Sequence, residues 1–239
     1  MAYHTKLPIV TDGLILSVDP YNTKSYVSGG TVYDLTINKY TGETVNGVTY
    51  NNAWSLDGTN QDVKINSKLG VSAPTLPITI DLWVKVNSFN GFVPSVITLD
   101  KDTGFYHGLT IQCSSTSENF SFSIGDGTGE GTNYRRTVTA PNNSVELGKW
   151  YHISCIFRDA VTFDMTPYVN LVIPSLTTSG LGTGIGWSSS SSSRTTLGSS
   201  WGTTIRYGDM DISQVKVYNR ELSFAEITQN YNALKWRFI

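Results

Sequence analysis

Apolar residues return at every second position along most of this chain. Between positions 77 and 86, Ile78, Ile80, Leu82, Val84 and Val86 share one face and leave Trp83 on the other, the alternation of a strand laid on a core. Leu14, Leu16 and Val18 alternate with Ile15 and Ser17, so this strand is apolar on one face and partly apolar on the other, and a central place in a sheet is expected. Further strands are predicted at 96–99, 108–113, 120–124, 134–139, 150–157 and 167–174, several joined by hairpins into a meander. Met210 and Ile212, then Val215 and Val217, alternate with polar residues, and the odd step between the pairs predicts a strand interrupted by a one-residue bulge.

The period changes once, near the end. Ser223 followed by Glu226 forms a capping box, and Leu222 with Ile227 a hydrophobic staple, so a helix is predicted over about 223–236 with its first turn at Phe224. Phe224, Ile227, Tyr231 and Leu234 fall on one helical face and are expected to dock on the β body. The expected fold is all-β: one domain over 1–239, two antiparallel sheets packed as a jelly-roll sandwich, with one short C-terminal helix. Its 22 Gly and 8 Pro favour many short strands, and a hydrophobic content of 39% supplies the core.

Seventeen basic against 19 acidic residues give no electrostatic footprint for nucleic acid, and no apolar run is long enough for membrane insertion. No charged, apolar and small-residue leader follows Met1, so folding in a reducing cytoplasm is expected. Cys113 and Cys155, each in an apolar strand pattern, then read as free core thiols. The Gly- and Ser-rich stretch 177–204, with its serine run 188–193, reads as a mobile loop tip.

Candidate chemistry is sparse. Gly125 to Gly131 has the glycines of a phosphate loop, but a strand rather than a helix follows, so it reads as a hairpin loop. His4, His107 and His152 have no spacing that ties them to a nucleophile or a zinc site. Asp57, Asn60 and Asp62 gather hard oxygens in a turn and are the calcium candidates; the same residues suit turn chemistry alone, and no cofactor is required. Trp187, Trp201 and Tyr134, in polar loops, are the rings suited to stack on a sugar, with Arg135 and Arg136 as neighbouring donors for acidic sugars.

The strand Met210-x-Ile212-x-x-Val215-x-Val217-Tyr218-Asn219-Arg220, followed by the capped helix 221–227, resembles the close of laminin-G-like domains in the concanavalin A-like lectin and glucanase superfamily. The ending 229–238, QNYNALKWRF, resembles the C-termini of such domains in structural proteins of tailed bacteriophages, as do Ser25-Tyr26, the 30–35 segment GTVYDL and the turn at Leu56-Asp57-Gly58. The glycine- and asparagine-rich loop that the family carries next is replaced here by 34–40, DLTINKY.

The resemblance implies the sandwich fold, with Trp83 and Trp150 as core tryptophans. It also implies a non-enzymatic virion protein, assembled in the bacterial host cytoplasm and displayed on the head as capsid decoration or on the tail or fibre. Such a protein is present in many copies or as a homo-oligomer, contacts other virion proteins and adheres to host-surface polysaccharide. Tyr231, Leu234, Trp236 and Phe238 are its expected assembly or docking residues, with Trp236, Phe238 and Ile239 buried against a partner or the domain's own body. The alternative is a stand-alone lectin-like module, with or without calcium. Laminarinase-like glucanases of this fold carry E-x-D-x-x-E on a strand; Asp209, Asp211 and Gln214 occupy those places here. An amide cannot protonate a leaving group, so hydrolysis is not expected.

Overall fold

The computed structural model describes residues 8–27, 29–67, 74–89, 93–101, 104–188, 190, 193–200 and 205–239. In chain order the strands are β1 (Leu14–Val18), β2 (Val32–Tyr33), β3 (Thr41–Val45), β4 (Thr49–Tyr50), β5 (Trp54–Asp57), β6 (Asp62–Ile65), β7 (Ile78–Val86) and β8 (Ser95–Lys101). They continue as β9 (Leu109–Ser114), β10 (Asn119–Gly125), β11 (Arg135–Thr139), β12 (Trp150–Phe157), β13 (Met165–Val169), β14 (Thr177–Ser179), β15 (Arg194–Leu197) and β16 (Asp209–Tyr218), before the helix α1 (Phe224–Leu234).

The strands form two antiparallel sheets. One has seven strands, in the order β13-β12-β7-β16-β5-β4 with β1 also on β16; the other has nine, in the order β14-β11-β10-β9-β8-β15-β6-β3-β2. The fold is the expected sandwich, and the meander β8 to β11 runs through neighbouring positions of the second sheet. Between the sheets lie Ile78, Ile80, Leu82, Val84 and Val86 of β7, Ile153, Cys155 and Phe157 of β12, and Ile111, Phe120 and Phe122 from the facing sheet. Cys113 and Cys155 are buried free thiols on opposite sheets. Burial pushes Cys113 up to about 12 and Cys155 well above its usual value.

The seven-stranded sheet is covered on its outer face as well. Val10, Ile156, Tyr218, Leu222 and Ile227 form one cluster there, and Trp83, Ala233 and Leu234 a second, with Tyr231 and Phe238 packed on it. This third layer explains why eight of the nine residues of β7 are buried although their pattern alternates. Trp83 is the centre of the layer, fully buried, with the rings of Phe238 and Tyr231 stacked 4.4 and 5.5 Å away.

The bulge sits where the odd spacing put it. Ser213 pairs with Trp83 and Lys216 with Asp81, so two residues of β16 oppose Leu82 alone. Gln214, at φ 51, takes the left-handed backbone that this insertion requires. The capping box is also formed: the Ser223 hydroxyl accepts from the Glu226 N–H and the Glu226 carboxylate accepts from the Ser223 N–H.

Several expectations are corrected. β1 pairs with β16 alone, so it is not central; its outward residues are covered by the third layer instead. Phe224, at the first turn, is 52% exposed, its ring 5.6 Å from that of Tyr168. Trp150 is half-buried, at the end of β12 where the third layer stops. The strand expected at 167–174 is β13, Met165–Val169. The serine run is not a free loop tip at its ends: Ser188 and Ser193 are buried, and the Ser188 N–H and Ser193 hydroxyl donate to the buried carboxylate of Asp100. A carboxylate inside a protein needs such donors, and serine supplies them.

Candidate functional site

On the outer face of the seven-stranded sheet, one register row runs Trp150 (β12), Lys85 (β7), Asp211 (β16), Ser55 (β5) and Thr49 (β4). Beyond this row the helix no longer covers the sheet. The row and the segments around it enclose a groove of about 390 Å³, lined also by Tyr21, Asn51, Asn52, Trp236, Arg237 and Phe238. Tyr21 lies in the turn after β1, where its N–H donates to Asp19. Asn51 and Asn52 form the tight turn between β4 and β5, Asn52 at φ 62, and both are exposed. Their side-chain amides have no partner among the described residues. Trp236 and Arg237 belong to a 3-10 turn, Lys235–Arg237, that carries the chain off α1 and back over the sheet.

Rings and charges alternate in the groove. Trp236 and Tyr21 are 47% and 42% exposed and meet edge to face at 6.1 Å. Arg237 lies over the Tyr21 ring at 4.3 Å and donates to both Asp19 oxygens at 3.1 and 3.2 Å. Lys85 pairs with Asp211 at 2.5 Å and lies 5.4 Å from the centre of the Trp150 ring. Asn87 donates to the other oxygen of Asp211. A rigid floor, aromatic faces and fixed polar groups are what a small polar ligand with apolar patches requires.

The sugar candidates from the sequence lie elsewhere. Tyr134 is exposed at the end of the 3-10 turn Thr132–Tyr134, and Arg135, next in the chain, holds its guanidinium 5.0 Å from the centre of the Tyr106 ring. Burial, then the like charge of Arg206, lowers the Arg135 pKa against the opposing pull of Tyr106. The Trp187 Nε1 donates to the Pro74 carbonyl and its ring packs against the core, so it serves as a wedge. Trp201 lies outside the described residues. Of the docking residues, Tyr231, Leu234 and Phe238 pack on the domain's own sheet, whereas Trp236 and Ile239 stay exposed.

The calcium candidates are partly bonded within the fold, and Asp62 Oδ1 is buried without a hydrogen-bond partner among the described residues. Asp57 accepts from the Thr59 N–H, the Asn60 carbonyl accepts from the Asn46 amide, and buried Asp62 accepts from the Ser199 hydroxyl. Among the described residues no cluster of three or more His, Cys, Asp or Glu is placed to hold a metal. At the glucanase positions, Asp209 accepts from Ser88, Asp211 is held by Lys85 and Gln214 is the bulge.

The sequence reading missed two features. The first is the groove, whose residues are scattered from 21 to 238; the exposed aromatic of the Trp236-Arg237-Phe238 ending was its only local signal. The second is a fully buried network, in which Asp81 accepts from Lys216 and from His152, each at 3.0 Å. Burial alone would push the Asp81 pKa up, but Lys216 and His152 together outweigh it and hold the carboxyl at about 2. Charged residues at apolar strand positions 81 and 216 were the available signal.

A laminin-G-type family model, described as concanavalin A-like lectin/glucanases superfamily, matches residues 57–228, and the chain belongs to this family. Among curated protein sequences none matches the chain. Of solved structures, the binding domain of botulinum neurotoxin DC in complex with SialylT is similar at a TM-score of 0.65 and 16% identity, over 95% of this chain and 52% of that one. A second solved structure is of botulinum neurotoxin type C, whose cell entry depends on interaction with two ganglioside molecules. It is similar at 0.64 and 15% identity, over 92% and 51% of the two chains. The Trypanosoma rangeli sialidase in complex with 2,3-difluorosialic acid is similar at 0.60 and 14% identity, over 96% and 34%. The chain thus spans about half the length of the first of these solved chains, or less.

Proposed function

We propose that this chain is a non-catalytic adhesion protein, displayed in many copies on the head or tail of a tailed phage, that holds host-surface polysaccharide in the groove beside Trp236. The observation that carries the ligand reading is the groove itself. Exposed Tyr21 and Trp236 offer ring faces, and the amides of Asn51 and Asn52 are free to bond hydroxyls. The fold family gives a lectin-like body, and among the structural neighbours one botulinum neurotoxin binding domain is in complex with SialylT, and cell entry of neurotoxin type C depends on interaction with two ganglioside molecules. The setting on a particle is supported by the resemblance of 25–35 and 229–238 to phage structural proteins. A non-catalytic role is supported by Gln214 at the place of the glucanase acid and by the pairing of Asp211 with Lys85.

The test is a glycan array probed with the protein and with Trp236→Ala, each with and without calcium. Binding by the wild type that the variant loses, in either condition, supports the groove. No retained glycan in either condition overturns the adhesion reading.

A further inference from the structure

We propose that the groove selects uncharged glycans and rejects acidic ones. This rests on the adhesion reading above and adds its ligand class. The lining carries two cations, Lys85 and Arg237, and each faces a carboxylate. Lys85 is 2.5 Å from Asp211, and Arg237 bonds both oxygens of Asp19. The carboxylates are committed in turn, since Asp211 also accepts from Asn87 and Asp19 from the Tyr21 N–H. Two positive and two negative groups, locked pairwise, leave no net charge to attract a sugar carboxylate.

A uronic or nonulosonic acid would need a free guanidinium or ammonium to compensate its desolvation. Entering here, it would meet cations already neutralised by Asp19 and Asp211, with those carboxylates beside them. A neutral pyranose meets no such cost. Its hydroxyls can accept from the Asn51 and Asn52 amides, while its C–H face lies on Trp236 or Tyr21. The arrangement does not depend on a distant field, because opposite charges in contact cancel beyond a few ångströms.

The experiment is calorimetric titration with neutral oligosaccharides (glucans, galactans, N-acetylglucosamine oligomers) and acidic ones (uronic acid oligomers, sialylated lactose), at low and high salt. Expected is a preference of at least about tenfold for a neutral ligand, changing little with salt because no free charge is engaged. Asp211→Asn, which leaves Lys85 unpaired, should raise affinity for acidic oligosaccharides, and that gain should vanish at high salt. Circular dichroism checks that the variant remains folded. Tighter binding of an acidic ligand by the wild type, weakened by salt and by Trp236→Ala, overturns the selectivity while leaving adhesion intact. Binding of neither class overturns the adhesion reading and the selectivity with it.

Discussion

Asp81 and Lys216 face each other across β7 and β16 with no solvent exposure, and His152 closes the group from β12. Three polar side chains under the third layer are costly to bury, and Asp81 is paired through both oxygens, whereas His152 Nδ1 is buried without a hydrogen-bond partner among the described residues. Removing one partner is expected to be severe: Lys216→Met or Asp81→Asn should lower stability at pH 7 by about 3–5 kcal/mol, read from urea unfolding. The pH dependence follows from the depressed Asp81 pKa. Its contribution is fully present above about pH 4 and is lost as pH falls from the ordinary carboxylate value toward about 2. Glu226, held at about 2 chiefly by the hydrogen bond from Arg220 and by Ser223 despite its partial burial, acts in the same window. The wild type should therefore lose stability between about pH 4 and 2, and the gap between it and Asp81→Asn should narrow by about 2 kcal/mol there. A constant gap would show that Asp81 is not ionised in the folded protein. Nothing in the local sequence pairs residue 81 with residue 216; their opposition depends on the bulge at Gln214, which sets the register beyond it.

At the scale of elements, the helix and the tail divide the labour. The capping box and the Leu222–Ile227 staple set where α1 begins, and both are local enough to be legible in the sequence. Ser223→Ala should cost about 1 kcal/mol of stability. The tail acts differently at its two aromatics. Phe238 stacks on Trp83, so Phe238→Ala should destabilise by about 2 kcal/mol, whereas Trp236, half exposed, should change stability by less than about 0.5 kcal/mol when replaced by alanine. Thermal or urea unfolding of the two variants checks this; equal losses would mean that Trp236 is a packing residue and not a groove wall. Phe238, with Tyr231 and Leu234, packs on the domain's own sheet, and Trp236 stays about half exposed at the groove, its Nε1 donating to the Ala233 carbonyl.

At the scale of the molecule, the seven-stranded sheet carries a third layer on its outer face, and the groove opens beside that layer. The proposed setting makes one further prediction. Mass spectrometry of gradient-purified phage particles should find this chain in many copies, and its absence from particles would overturn the virion assignment in favour of a free lectin-like module.

Alternation of apolar residues and the capping signals determined, from sequence alone, that the chain is an all-β sandwich closed by one helix. Strand faces and helix starts depend on residues only a few positions apart. Trp83 was legible as structural for the same reason. The site was not, because it joins residues 21, 51, 52, 85, 150, 211 and 236 to 238, which only strand order and the path of the tail bring together. Loop composition pointed instead to Trp187, whose ring the fold turns inward against the core. Which aromatics are buried and which are left to meet a ligand was decided by long-range packing, since exposure depends on what covers a residue and not on its neighbours in the chain.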